Sequence, residues 1–105
     1  MKTLLYDGSF DGLLTAVFEA SEYKYKEVEI RNRERFQQEN MFAEIHEVVT
    51  QNEKSDRVLK KLETSIGKSG IKQLLMVFLS ELPESEDLIF SAIKQSIKSP
   101  ENNIL

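Results

Sequence analysis

Near the start of the chain the apolar positions change period abruptly. Thr3-Leu4-Leu5-Tyr6 is a continuous apolar run closed by Asp7-Gly8, which predicts a short strand buried on both faces or nearly so. After the turn, Phe10, Leu13, Leu14, Val17 and Phe18 recur at i, i+3, i+4, i+7 and i+8. Asp11, Thr15, Glu19 and Glu22 take the opposite side, so the segment predicts an amphipathic helix. Ser9 is its expected N-cap, and Asp11 lies in the first turn near the positive end of the helix dipole.

Val28 and Ile30 alternate with Glu27, Glu29 and Arg31, as in a short half-exposed strand. Gln37 to Asn40 is polar and predicts a loop. Phe42, Ile45, Val48 and Val49 suit either period, but the β-branched content of Glu44 to Thr50 favours a strand. Thr50-Gln51-Asn52-Glu53 fits a capping box. The helix it opens turns Val58, Leu59, Leu62 and Ile66 inward, and Gly67 is placed as its C′ residue. A further helix from Ser69 has Ile71, Leu74, Leu75, Phe78 and Leu82 in one stripe. Met76, Val77 and Leu79 carry apolar character round the rest of it, which predicts a central helix packed from several sides. Leu82-Pro83 ends it. A last helix from about Glu84 faces Leu88, Ile89, Ala92, Ile93 and Ile97 inward and fades at Ser99-Pro100. The sum is an α+β domain over residues 1–98, with two or three short strands near the N-terminus packed with four helices, followed by a polar tail at 99–105.

Composition narrows the function classes. At 105 residues, 40% hydrophobic and 30% charged, the chain has the make-up of one folded domain and not of a disordered segment. A net charge of −4, from 14 basic and 18 acidic residues, argues against a surface given over to polyphosphate, while leaving room for a local basic patch. With no cysteine there is no disulfide, no zinc–thiolate site and no thiol nucleophile. Met1-Lys2-Thr3-Leu4-Leu5 opens like a signal peptide, but Asp7 interrupts it. The longest apolar run, Leu74 to Leu79, is far too short to span a bilayer, so a cytoplasmic location with no membrane contact is expected.

Asp7-Gly8-Ser9-Phe10-Asp11-Gly12 imitates the first half of a calcium loop. The twelfth position, which must be a bidentate Glu, is Phe18, and a strand precedes the loop where a helix should; a turn with a helix cap is the better reading. The same strand–turn–helix aims backbone N–H groups at an anion. Asp7 and Asp11 would repel that anion, and no Gly-Lys-Ser/Thr follows, which excludes a P-loop. Any chemistry of the chain's own would fall to Asp7 and Asp11 as paired carboxylates and to His46, the lone histidine, as a proton carrier. Acids at a helix start are more often caps, and His46 has no serine or cysteine partner in view. Arg31, Arg33 and Arg35, with Arg57, Lys60 and Lys61 on a helix face, are the basic concentration available for phosphates, and Tyr23 and Tyr25 nearby are suited to stack on bases. Glu27, Glu29, Glu34 and Asp56 are interleaved with them, which favours a solvated, charge-mixed face. No residue set calls for a metal or cofactor.

The segment Leu4 to Ala20, together with Phe78-Leu79-Ser80-Glu81-Leu82-Pro83, resembles a bacterial family of DNA-metabolism proteins. That family is similar to a domain found beside or fused to uracil-DNA-glycosylase-like proteins, and is linked in gene neighbourhoods to a radical-SAM protein. Members usually continue into a second half with a Glu–His–Arg-type segment and aromatic-rich motifs, so the resemblance covers their amino-terminal part. It implies the N-terminal module of a DNA-repair or DNA-metabolism accessory protein, non-catalytic on its own, with those two proteins as partners. The alternatives are a fragment or subunit of a DNA-modifying enzyme, and direct DNA binding through the basic patch.

Overall fold

β1 (Lys2–Tyr6) is the middle strand of a three-stranded, wholly parallel sheet of order β2-β1-β3, flanked by β2 (Val28–Asn32) and β3 (Glu44–Glu47). The computed structural model describes residues 2–24, 26–37, 44–82 and 84–104, with side chains to Ser96. Tyr25, Phe42, Pro83, most of the 37–40 loop and the Ile97 side chain, all singled out by the sequence pattern, lie outside that description. Leu4 pairs with Ile30 on one side and His46 on the other. The central position accounts for the uninterrupted apolar run: Thr3, Leu4, Leu5 and Tyr6 are all buried. Parallel neighbours need a crossover, and α1 (Phe10–Glu22) supplies it between β1 and β2.

Ser9 caps α1 as its position predicts, its hydroxyl accepting from the Gly12 N–H at 2.9 Å. Leu13, Leu14 and Val17 join Leu4, Tyr6 and Ile30 in the core, closed by Val58, Leu62, Ile89 and Ile93 from the later helices. The polar side of α1 is a surprise, because Thr15 and Glu19 are buried too. The start of α2 (Asn52–Leu79) crosses that side, so α1 is enclosed between the sheet and a second helix. The expectation of a central helix at Ile71–Leu82 is corrected accordingly. Ile71, Leu74, Val77 and Phe78 are only partly buried against the core, while Met76 and Leu79 are exposed.

Three helices, not four, occur among the described residues. α2 comprises two helical segments that meet at Gly67, whose φ of 73° and ψ of 174° are non-helical, at the position where the pattern placed a C′ glycine. A residue with a side chain tolerates that φ poorly, and glycine absorbs the bend while the helix resumes beyond it. The capping box at Thr50 is also corrected. The residue capping α2 is Gln51, with no side-chain bond, because the Thr50 hydroxyl is drawn away to Asp7. α3 (Ser85–Ile104) includes Ser99-Pro100 and the 101–104 stretch that the pattern left as a tail. The class is mixed α+β, and no helix among the described residues is long and apolar enough to cross a membrane.

Candidate functional site

In a parallel sheet ligands commonly bind outside the carboxyl ends of the strands, at the crevice where the strand order reverses. With the order β2-β1-β3 that crevice lies between the ends of β1 and β3. Here it is closed. Asp7, directly after β1, accepts through Oδ1 from the Ser9 N–H at 2.9 Å and the Ser9 hydroxyl at 2.6 Å. Its Oδ2 accepts from the Thr50 hydroxyl, beyond β3, at 2.7 Å. The Ser9 hydroxyl and the Ser9 N–H hold the Asp7 carboxyl below the usual carboxylate range, with burial opposing them and Thr50 and Arg33 adding to the lowering. A carboxylate bound this way is a poor general base. Asp11 is engaged separately, accepting from the Ser55 hydroxyl at 3.4 Å.

His46 does not join them. Its Nε2 lies 2.8 Å from Glu19 Oε1, a pairing that requires the proton on Nε2, and Lys54 Nζ donates to Glu19 Oε2 at 3.1 Å. Lys54 also lies over the rings of Phe18 and Tyr23, at 5.6 and 5.8 Å from their centroids. The buried Glu19 carboxylate is thus compensated from β3 and α2 at once, which fastens both to α1. Asp7, Asp11 and His46 therefore belong to three separate hydrogen-bonded groups. Among the described residues no group of three or more His, Asp or Glu is placed to hold a metal ion.

The other flank of β1 is built differently. The Tyr6 hydroxyl donates to Glu86 Oε2 at 2.7 Å, joining the end of β1 to the first turn of α3. Burial, then the Glu86 carboxylate, push the Tyr6 phenol well above its ordinary pKa, so it stays a donor across the physiological range. Glu86 is itself buried, and its nearest cation, Arg35 Nη2, stands 3.6 Å off. Arg31 is more firmly held, donating to both oxygens of Asp87 at 2.9 and 3.3 Å with Glu29 at 3.1 Å. Between these groups lies a cavity of about 250 Å³ lined by Arg31, Asn32, Arg35, Phe36 and Glu86.

The two basic sets are placed apart. Arg31, Arg33 and Arg35 follow one another off the end of β2, whereas Arg57, Lys60 and Lys61 ride the first half of α2, and the two elements share no extended contact. Arg57 is paired with Glu53 at 3.6 Å. Glu19, Tyr6 and Glu86 escaped the sequence reading. Glu19 shares a helical stripe with Thr15, which was a signal, but one that ordinarily marks a solvated face. Glu86 looks like any acid in a first helical turn, and its partner Tyr6 is 80 residues away.

These features define a small α+β domain on a parallel sheet, with side chains bonded across one strand-end crevice and, beside it, a cavity that has charged residues in its wall. Compared with known protein families, with curated proteins and with solved structures, the chain matches none.

Proposed function

We propose that this chain is an interaction module in DNA metabolism or repair, non-catalytic on its own, which docks a protein partner through the end of α2 and the start of α3. The supporting observation is the exposure of large apolar side chains over a short stretch: Met76 at 63%, Leu79 at 66%, Leu82 at 49% and Leu88 at 54%. In a domain this small most apolar residues are needed for the core. Clustered apolar exposure of this kind marks interaction surfaces more often than it serves folding. The DNA-metabolism setting comes from the resemblance carried by Leu4 to Ala20 and Phe78 to Pro83, and the second of those segments overlaps the exposed stretch. The enzymatic alternative has no comparable support, because its three residues are engaged in separate bonds.

Calorimetric titration of the purified chain with a uracil-DNA-glycosylase-like protein and with a radical-SAM protein tests the proposal. Binding to one of them is expected. The double variant Met76→Glu/Leu79→Glu weakens it by about 30-fold, the effect of losing roughly 2 kcal/mol of hot-spot contact, with the circular dichroism spectrum unchanged. Absence of binding to both proteins, or equal binding by the variant, would refute it.

A further inference from the structure

We propose that the cavity between the end of β2 and the start of α3 receives a single unstacked guanine base, carried by a free nucleotide or by a residue of a single strand. The cavity, about 250 Å³, is smaller than the roughly 300–1,000 Å³ usual for drug-sized ligands, so it suits a base and not an extended molecule. Its chemistry is specific. Glu86, only 5% exposed, sets a carboxylate in the wall, and both of its described contacts, from Tyr6 and Arg35, fall on Oε2. Asn32 also lines the cavity, its Oδ1 accepting from the Glu34 N–H at 2.9 Å and its Nδ2 lying against Gly8. Phe36 is half-buried and supplies the aromatic side chain of the lining. The Arg35 side chain is 52% exposed and tied by nothing closer than its 3.6 Å contact with Glu86.

A carboxylate accepts and never donates, and each oxygen keeps spare lone pairs after one bond. Among the bases guanine alone presents two adjacent donors, N1–H and N2–H₂, beside an acceptor, O6. The two donors match the Glu86 carboxylate. Adenine would set its N1 lone pair against the carboxylate, and cytosine its N3. Uracil and thymine flank a single N–H with two carbonyl acceptors. The ring would stack on Phe36, as unpaired bases stack on aromatic side chains in single-strand recognition. Arg35, with Arg33 exposed beside it, is left for the phosphate; Arg31 is not, since Asp87 and Glu29 already hold it.

Calorimetry or NMR shift titration of the full chain with GMP, AMP, CMP and UMP is the test, alongside a single-stranded oligodeoxynucleotide bearing one guanine and the same strand with adenine in its place. GMP is expected to bind at least about tenfold more tightly than the others, the discrimination of one good bidentate pair. Glu86→Gln replaces an acceptor pair by an acceptor and a donor, so it lowers GMP affinity about tenfold and shifts preference toward AMP, while the glutamine carbonyl can still accept from Tyr6. Phe36→Ala, at a half-buried position, lowers GMP affinity by a similar factor and stands as the second variant should Glu86→Gln unfold the domain. Tighter binding of the guanine strand than of GMP identifies a single strand as the source; the reverse identifies a free nucleotide. Equal affinity for all four nucleotides, no binding at millimolar concentration, or unchanged GMP affinity in a folded variant overturns the proposal. Met76→Glu/Leu79→Glu leaves GMP binding intact, so this site and the docking surface fail or stand separately.

Discussion

Alanine at position 12 should destabilise the protein, although simple helix energetics say the reverse. Gly12 lies in the first turn of α1, and replacing a helical glycine with alanine ordinarily stabilises by about 1 kcal/mol. A Cβ built there falls 2.3 Å from Asp7 Oδ1, 2.9 Å from Thr50 Oγ1 and 3.0 Å from Ser9 Oγ. None of these can simply swing aside, because each is bonded to another: Asp7 to the Ser9 N–H, the Ser9 hydroxyl and Thr50. Making room for a methyl group means giving up two or three of these bonds. At about 1 kcal/mol each, the low value suited to an exposed carboxylate, the loss is about 2–3 kcal/mol. Set against the helical gain, the net cost is about 1–2 kcal/mol, or a fall in Tm of roughly 4–16 °C for a domain of this size.

The double variant isolates the cause. In an Asp7→Ala background the nearest obstacle is gone and Thr50 has lost its acceptor, so Gly12→Ala becomes neutral or stabilising by up to about 1 kcal/mol. The coupling between the two positions is then about 2 kcal/mol, far above the scatter of independent sites. Urea unfolding followed by circular dichroism at pH 7, with equal m-values across the four proteins, measures it. A stabilising Gly12→Ala in the native background, or a cycle additive within about 0.5 kcal/mol, would refute the tight packing of Asp7 against α1.

Asp7, with its carboxyl held below the ordinary range by Ser9 and Thr50, contributes stability that is present above about pH 4 and is lost as the pH falls further. Urea midpoints of the native protein and Asp7→Asn are therefore expected to differ at pH 7 and to converge in acid; a constant difference would show that the charge is irrelevant. Tyr6 gives the opposite flank: with its folded pKa raised, its contribution is full below about pH 10 and declines as the pH rises beyond it. Tyr6→Phe leaves the buried Glu86 without its shortest hydrogen bond and costs about 1–3 kcal/mol at pH 7, a gap that narrows in alkali if the phenol is the cause. Glu19→Ala strips the partner from Lys54 and His46. Removing one member of a buried pair costs about 3–5 kcal/mol, and the partial exposure of both partners lowers the expected loss to about 2–3 kcal/mol. A loss below about 1 kcal/mol in the same urea assay would mean the cluster is effectively solvated.

What was legible in the sequence was local. Strand β1, its turn and α1 are written in a change of period and in Ser9 standing three residues before the N–H it caps. The positions of β2 and β3 follow from alternation and β-branching, but their parallel pairing does not, since it depends on how the chain crosses over. The errors are of one kind: a local preference overruled by a distant partner. Thr50 has the pattern of a capping box, yet its hydroxyl serves an acid 43 residues earlier. Thr15 and Glu19 occupy the polar stripe of an amphipathic helix, yet Gln51, Lys54 and His46 arrive from more than 25 residues away to bury them. The apolar surround of Met76 and Leu79 predicted a centre and is found at an edge, because α1 had already taken the place between sheet and helix. The site shows the same division. Asp7's bonds to Ser9 are two residues long and readable, whereas the Tyr6–Glu86 bond that shapes the cavity is not.

The two flanks of β1 carry the same functional group in opposite states, and the difference says where recognition is possible. Asp7 is exposed and carries three short bonds, two on Oδ1 and one on Oδ2, from groups that are themselves fixed. A ligand gains little there, because three donors and water already serve that carboxylate. Glu86 is buried but loosely compensated, with one short bond from Tyr6 and a cation 3.6 Å away, both on the same oxygen. A charge held largely out of water is costly unless enough donors reach it. Water can supply them in the free protein, and a ligand whose own donors replace that water gains the difference. The bonded crevice at β1/β3 and the open cavity beside β2 are thus linked consequences of one parallel sheet end, and a ligand of this domain is drawn to the side where one carboxylate oxygen carries no bond from the described residues.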